Sequence, residues 1–396
     1  MDISDIIERE VNLFEKDIEL NHSEIEEIIQ SSSFLVIGGA GSIGQAVSKE
    51  IFKRDAKLLH VVDLNENDLV EFVRDVRSSI GYSKGHFSTF CLDANKSNLS
   101  KLFEQNNGYD FVLNLSALKH VRSEKDAFSL QRMFEVNILN TVEAYKLSKE
   151  FGAKNYFCVS TDKAANPVNL MGASKRAMEI FLDSIFEINK FSSARFANVA
   201  FSNGSLLDGF ISRLEKKQPI SAPNDIRRYF LTHEEAGRLC LLSSLFGSNG
   251  EIYFPKLDEN LHLINFKSIA INFLKSNNLK PFECSSEDEA RNFLKVNKDD
   301  GTWPCLFFGS DTTGEKPFEE FFTSGESLVL DHYEEIGIVK NSKPQELNID
   351  FDTFIDDIDK LFLKKNYSKE NIISLFKKII SEFDHEDKGR SLENKM

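Results

Sequence analysis

A short apolar run, Phe34–Ile37, breaks into Gly38, Gly39, Ala40, Gly41, Ser42, Ile43 and Gly44 and continues as QAVSKEIFKRD, a stretch with helical apolar spacing. That succession of strand, glycine turn and helix is the opening unit of a layered α/β architecture. Four further apolar runs, LLHVVD, FSTFCLD, FVLNLSA and NYFCVST, follow at helix-length intervals, each ending in small or polar residues. Their apolar residues are continuous rather than alternating, which suits strands covered on both faces. The pattern predicts an α/β fold with a doubly wound parallel sheet, in which ligands bind beyond the carboxyl ends of the strands.

Gly38, Gly41 and Gly44 stand in GxxGxxG spacing. Between a strand and a helix, such glycines permit a tight turn, let backbone amides approach a pyrophosphate and aim a helix amino terminus at its charge. The turn, with the amides of Ser42 and Ile43, therefore reads as a dinucleotide site in a Rossmann-type sheet. The second run ends at Asp63, 19 residues after Gly44. A carboxylate there accepts both hydroxyls of an adenosine ribose and repels a 2′-phosphate, which favours NAD over NADP; the competing role is an N-cap for the ENDLVEFV helix. Asp93, at the end of the third run, suits either the adenine amine or the cap of the next helix.

Around this centre the chain divides into residues 1–30, an amphipathic N-terminal helical extension; 31–200, the NAD-binding domain; 201–330, a smaller substrate-binding lobe; and 331–396, an acidic C-terminal helical extension. The N-terminal apolar stripe, from Ile3 to Ile29, must be buried against its own domain or a neighbouring subunit. The section Glu283–Pro304 is acidic and suits a lid or an oligomer contact. With 48 Lys and Arg against 63 Asp and Glu the formal charge is −15, which argues against nucleic acid or anionic lipid as a partner. The five cysteines are widely spaced and form no CxxC pair, so no metal site or redox dithiol is expected. The acidic start MDISDIIERE, and the lack of a run of roughly 18–20 apolar residues, point to a cytoplasmic chain that does not span a membrane.

The fifth run ends in Ser160, Thr161, Asp162 and Lys163 and leads through Asn166 and Pro167 to a helix opening with Met171, Gly172, Ala173, Ser174 and Lys175. To act as acid and base near neutrality, Asp162 and Lys163 need shifted pKa values, since a free carboxyl near 4 and a free ammonium near 10.4 each lie about 3 units away. Burial supplies such shifts; an exposed ion pair in a loop is the alternative. The segment STDKAANPVNLMGASKRAME, together with GGAGSIG, SALKHV, FEVNILNT and GEKPFEEFF, resembles the nucleotide-sugar 4,6-dehydratases of the extended short-chain dehydrogenase/reductase superfamily, over roughly residues 32–330. Within them it is most similar to the UDP-N-acetylglucosamine 4,6-dehydratase branch.

The resemblance implies that hydride passes from sugar carbon 4 to NAD, water leaves across carbons 5 and 6, and the hydride returns to carbon 6. It assigns Asp162 as the acid for the departing 6-hydroxyl and Lys163 as the base at carbon 5. Lys175 matches the superfamily's lysine at the nicotinamide ribose, but its YxxxK partner is replaced by Met171, whose thioether has no proton to exchange. Thr161 is then the candidate relay for the 4-hydroxyl proton. By position the resemblance also implies cofactor contact at Ser116, substrate contact at Lys119 and His120, and an ordering role for Asn137 on the substrate side. It implies substrate-side contacts from Arg195 and Asn198, on the strand and loop after the active-site helix, a diphosphate contact from Arg228, and ribose contacts from Glu315 and Glu319. A UDP-sugar substrate and a homo-oligomer follow from the same likeness. A nucleotide-sugar epimerase, weakened by the missing phenol, and a non-catalytic dinucleotide sensor stay open as alternatives.

Overall fold

The computed structural model describes residues 2–184, 190–248, 250–257, 263–296, 301–310, 319–340, 350–364, 366–381 and 383–385. Its strands are β1 (Ser33–Ile37), β2 (Leu58–Asp63), β3 (His86–Cys91), β4 (Phe111–Asn114), β5 (Asn155–Thr161), β6 (Phe191–Phe196), β7 (Asn198–Val199), β8 (Ile220–Pro223), β9 (Arg227–Leu231), β10 (Glu251–Pro255), β11 (Leu263–Asn265), β12 (Lys280–Glu283), β13 (Thr302–Phe308), β14 (Ser327–Val329) and β15 (Ile336–Lys340). Its helices are α1 (Ile3–Ile6), α2 (Glu15–Leu20), α3 (His22–Ser31), α4 (Ser42–Phe52), α5 (Glu66–Ser79), α6 (Lys96–Asn106), α7 (Ala127–Phe134), α8 (Asn140–Glu150), α9 (Leu170–Ser184), α10 (Leu206–Glu215), α11 (His233–Phe246), α12 (Phe266–Ser276), α13 (Glu287–Val296), α14 (Phe351–Phe362) and α15 (Lys369–Ile379).

Nine strands form one sheet in the order β14-β15-β10-β6-β5-β4-β1-β2-β3. From β10 to β3 every neighbour is parallel, and β15 and β14 join antiparallel at one edge. The strand order reverses between β1 and β4, where a crevice opens at the carboxyl ends. The continuous apolar runs have their cause in two-sided burial: Phe34 and Val36 of β1 meet one helical layer, and Leu35 and Ile37 the other. The first layer carries Ile29, Val47, Phe72 and Leu239 from α3, α4, α5 and α11. The second carries Leu99, Ala144, Ile180, Phe354 and Phe376 from α6, α8, α9, α14 and α15.

Three segments take a more definite form than their sequence outline. Residues 201–330 do not stand apart as one lobe, because β10 and β14 return to the main sheet; β10 takes the parallel edge that β6 leaves open. The lobe is built from strands on either side of β10 in the chain, as the sheets β11-β9-β7 and β12-β13-β8. Glu283–Pro304 belongs to a β12-α13-β13 unit whose β13 pairs in parallel with β8. The N-terminal stripe is three short helices instead of one, broken at Phe14 with φ 66°. Ile6, Ile7, Phe14, Ile18, Ile25 and Ile29 are buried against the chain itself, while Val11 stays 61% exposed. At the other end α14 and α15 are core elements, with Phe376 stacked on Phe134 at 5.0 Å between centroids.

Candidate active site

The glycine turn is shaped by packing at two positions and by something else at a third. Gly38 has φ +73°, and a Cβ there would lie 2.6 Å from Ser116 N; a Cβ on Gly44 would lie 2.2 Å from Gly38 O. For Gly41 the nearest atom to an added Cβ is Gly38 O at 3.5 Å, an ordinary contact, yet the residue lines a cleft of about 280 Å³. Bare backbone with room beside it, at the start of α4, is a cradle for an anionic group that approaches the main chain closely.

Asp63, Asp93 and Ser116 line the same cleft. The cap of α5 is Asn65, so Asp63 is not spent on it. Its carboxylate accepts from Ala40 N and Asn65 N, both at 3.0 Å, which holds it at the rim of the glycine turn. Asn95 caps the next helix, and Asp93 lies 3.6 Å from Arg132, a cleft residue that no motif singled out. Ser42 and Ile43 keep their side chains elsewhere: Ser42 Oγ accepts from Asn203 N at 2.9 Å and Ile43 packs on the core. What they offer the site is the main-chain N–H of the first helical turn.

β5 ends two strands from β1, about 10 Å at the usual strand spacing. Asp162, just beyond it, is 5% exposed. Lys163 Nζ donates to its Oδ1 at 3.0 Å and Oδ2 at 3.1 Å, and Thr161 Oγ1 donates to Oδ1 at 2.8 Å. The carboxylate is thus buried, while the Lys163 side chain that pairs with it is 30% exposed. Lys175 Nζ donates to Val159 O at 2.9 Å; burial lowers its pKa to about 8, opposed by Cys158 and Glu179. Met171, one turn earlier on α9, is 3% exposed, and its amide donates to Glu124 Oε1 at 3.1 Å. Its part is packing in the first turn of the helix. Glu124 Oε2 also lies 3.1 Å from His385 Nε2, so the C-terminal segment is fastened to that turn.

Asn137 belongs to the framework and not to a substrate surface. It sits in a π-helical turn, Glu135–Leu139, fully buried. Its Oδ1 accepts from Leu118 N at 2.9 Å, and its Nδ2 donates to Leu118 O at 3.0 Å and Ser174 Oγ at 2.9 Å. The loop after β4 is thereby ordered against α9. On that loop Lys119 Nζ reaches Ser202 Oγ at 3.4 Å, and His120 underlies Gly204, where an added Cβ would lie 3.0 Å from Nε2.

Arg195 is a correction. Its register partner on β5 is Ser160, and both side chains bond Glu179 of α9, so Arg195 is enclosed beneath the sheet and reaches no substrate. Its Nη2 donates at 2.8 Å to both Glu179 and Glu326, and its Nη1 to Phe321 O at 2.9 Å. Against the upward push of burial, Arg195 holds the Glu179 pKa down at about 2.

Arg228 and Asn198 do face the site, through Glu319. Asn198 Nδ2 donates to Glu319 Oε1, and Arg228 Nε lies 3.7 Å from the same oxygen. Glu315 lies outside the described residues. Glu319, expected beside a ribose, is instead 6% exposed and close enough to Asp162 to feel its charge. Burial and then that like charge push its pKa up to about 7, with Arg228 and Lys163 opposing. Nothing in the spacing of GEKPFEEFF tells which glutamate turns inward.

A parallel sheet with a dinucleotide-type cleft at its switch point, beside a Thr-Asp-Lys cluster built on a buried carboxylate, defines a Rossmann-type protein with a chemical site. The family model for polysaccharide biosynthesis proteins matches residues 34–341, and the chain belongs to that family. Among curated relatives, the capsular polysaccharide biosynthesis protein CapD of Staphylococcus aureus is 25% identical over 363 residues, 90% of this chain; the chain spans only 55% of that protein's length. A UDP-N-acetylglucosamine 4,6-dehydratase (inverting) of Campylobacter jejuni is 27% identical over 251 residues, 58% of this chain and 68% of that protein. The X-ray structure of Pen from Bacillus thuringiensis shares the fold, with a TM-score of 0.64 at 20% identity over 90% of this chain and 98% of that one. No described helix is long and apolar enough to cross a membrane.

Proposed function

We propose that this chain is an NAD-dependent nucleotide-sugar 4,6-dehydratase that converts UDP-N-acetylglucosamine to a 4-keto-6-deoxy sugar. The observation that carries it is the buried Asp162 carboxylate at the end of β5, bonded by Thr161 Oγ1 and Lys163 Nζ, with methionine standing four residues before Lys175. The named dehydratase relative supports it at low identity. NAD, when bound, supplies the reversible exchange of hydride with the sugar.

For that group the glycine turn offers main-chain N–H donors to a pyrophosphate, Asp63 accepts from the adenosine ribose, Asp93 and Ser116 line its cleft, and Lys175 donates to the second ribose. The Asp162–Lys163 pair holds its own acid and base. A proton moved from Lys163 Nζ to the carboxylate it already touches yields a carboxylic acid for the 6-hydroxyl and an amine for the carbon 5 proton. Thr161 Oγ1 bridges the 4-hydroxyl to the same carboxylate. Arg228 serves the diphosphate, and Lys119 and His120 border the sugar. A cytoplasmic location and a homo-oligomer belong to the same proposal.

Incubation with UDP-N-acetylglucosamine is expected to lower the mass of the sugar nucleotide by one water. Asp162→Asn and Lys163→Met are expected to reduce turnover by about 10²–10⁴-fold while bound cofactor is retained. A product of unchanged mass would make the chain an epimerase, and undiminished turnover in either variant would remove the cluster from the mechanism.

A further inference from the structure

We propose that Glu319 is a positioning residue that gates the phosphate-binding arm: ionised, it holds Arg228 and repels a nucleotide diphosphate; protonated, it yields the guanidinium to that diphosphate, so that binding a nucleotide sugar takes up one proton. The service of Arg228 to the diphosphate is the part of the proposed function on which this gate depends.

Glu319 is enclosed where three elements meet. Among the described residues, the charged groups facing it are Asp162 and Lys163 from the turn after β5 and Arg228 from β9. Asn198 of β7 donates to Oε1, and Tyr229 N reaches Oε2 only at 3.5 Å. The 3.7 Å from Arg228 Nε is an ion pair without a hydrogen bond. A buried carboxylate met this incompletely, with a second carboxylate close by, is held near its titration point, in keeping with its pKa of about 7. Lys163 Nζ, by contrast, bonds both oxygens of Asp162.

The sign follows from linkage. A diphosphate drawn to Arg228 adds negative charge beside Glu319 and takes over its cation, so the pKa of Glu319 rises in the complex. Well below pH 7 the carboxyl is largely neutral and binding moves little proton. Above pH 7 each bound nucleotide sugar must bring a proton with it, and affinity falls by up to about tenfold per pH unit.

The test is calorimetric binding of UDP-xylose to the NAD-loaded protein between pH 6 and 8.5, in buffers of differing ionisation enthalpy. That sugar lacks carbon 6, so no water can be eliminated, and its diphosphate does not titrate in this range. The wild type is expected to take up close to one proton at pH 8 and to weaken at least tenfold from pH 6.5 to 8.5. Glu319→Gln, a mimic of the neutral form, is expected to bind with pH-independent affinity near that of the wild type at low pH. Glu319→Ala, which strips Asn198 of its acceptor, separates a structural loss because it weakens binding equally at every pH. The same pH slope in Glu319→Gln, or binding without proton uptake, overturns the gate. A gate that behaves as expected in a protein that does not dehydrate UDP-N-acetylglucosamine would overturn the reaction and leave the gate standing. Failure of UDP-xylose to bind at any pH would overturn the gate, while the reaction is decided by the mass of the UDP-N-acetylglucosamine product.

Discussion

Arg195 lies wholly out of solvent with two carboxylates, Glu179 and Glu326, closed around its guanidinium. Such a cluster gives little net stability when intact but is costly to break, because its remaining charges stay buried. Arg195→Met is therefore expected to destabilise the fold by about 3–5 kcal/mol at pH 7 in denaturant titrations. The stabilisation that Glu179 draws from Arg195 is present above the free carboxyl value and is lost as pH falls toward 2, so the deficit of the variant should shrink at pH 3.5. An equal deficit at both pH values would show that packing, not charge, is what Arg195 supplies. Thr161, Asp162, Lys163 and Lys175 are legible in the sequence because chain order alone puts them at a strand end and one helical turn onward. Arg195 is not, because its orientation is set by strand register and its partner Glu326 lies 131 residues away. Glu319 hides for a similar reason, since its neighbours Asp162, Asn198 and Arg228 come from three separate elements.

The turn between β1 and α4 separates glycines needed for folding from one needed for binding. Gly44→Ala would drive a methyl into Gly38 O, at 2.2 Å, and is expected to lose about 1–3 kcal/mol or more in thermal unfolding. Gly41→Ala meets nothing closer than 3.5 Å and is expected to melt near the wild type but to bind NAD at least tenfold more weakly, as measured by fluorescence titration. Undiminished NAD affinity in Gly41→Ala would mean that the cradle is not a pyrophosphate seat. At this scale the strands of the parallel sheet are legible because burial on both faces leaves continuous apolar runs. The breaks are not. The helical spacing of Ile3 to Ile29 gives no sign of the kink at Phe14, which is set by a long-range bond from its amide to Glu335. The lobe is likewise obscured, because β10 reads as one more apolar run and only pairing shows which sheet it joins.

The N-terminal segment crosses from the lobe to the main sheet. Ile6 and Ile7 fill the lobe core, Arg9 pairs with Glu235 at the head of α11, and Leu13 N donates to the same carboxylate at 2.8 Å. Farther on, Asp17 accepts from Glu334 N at 2.7 Å and Glu335 N at 3.0 Å. Deleting residues 1–14 strips Glu235 of its cation and uncovers the seat of Ile6 and Ile7, both costly. Calorimetry of that variant is expected to show the lobe melting ahead of the sheet, where the intact chain gives one transition; a single transition in both would mean that the lobes are coupled elsewhere. Because Phe14 and Asp17 are satisfied by residues more than 300 positions later, they leave the ribosome long before their partners exist. Until those partners arrive, the apolar side of this acidic strap is left without cover, and the growing chain carries a surface open to aggregation.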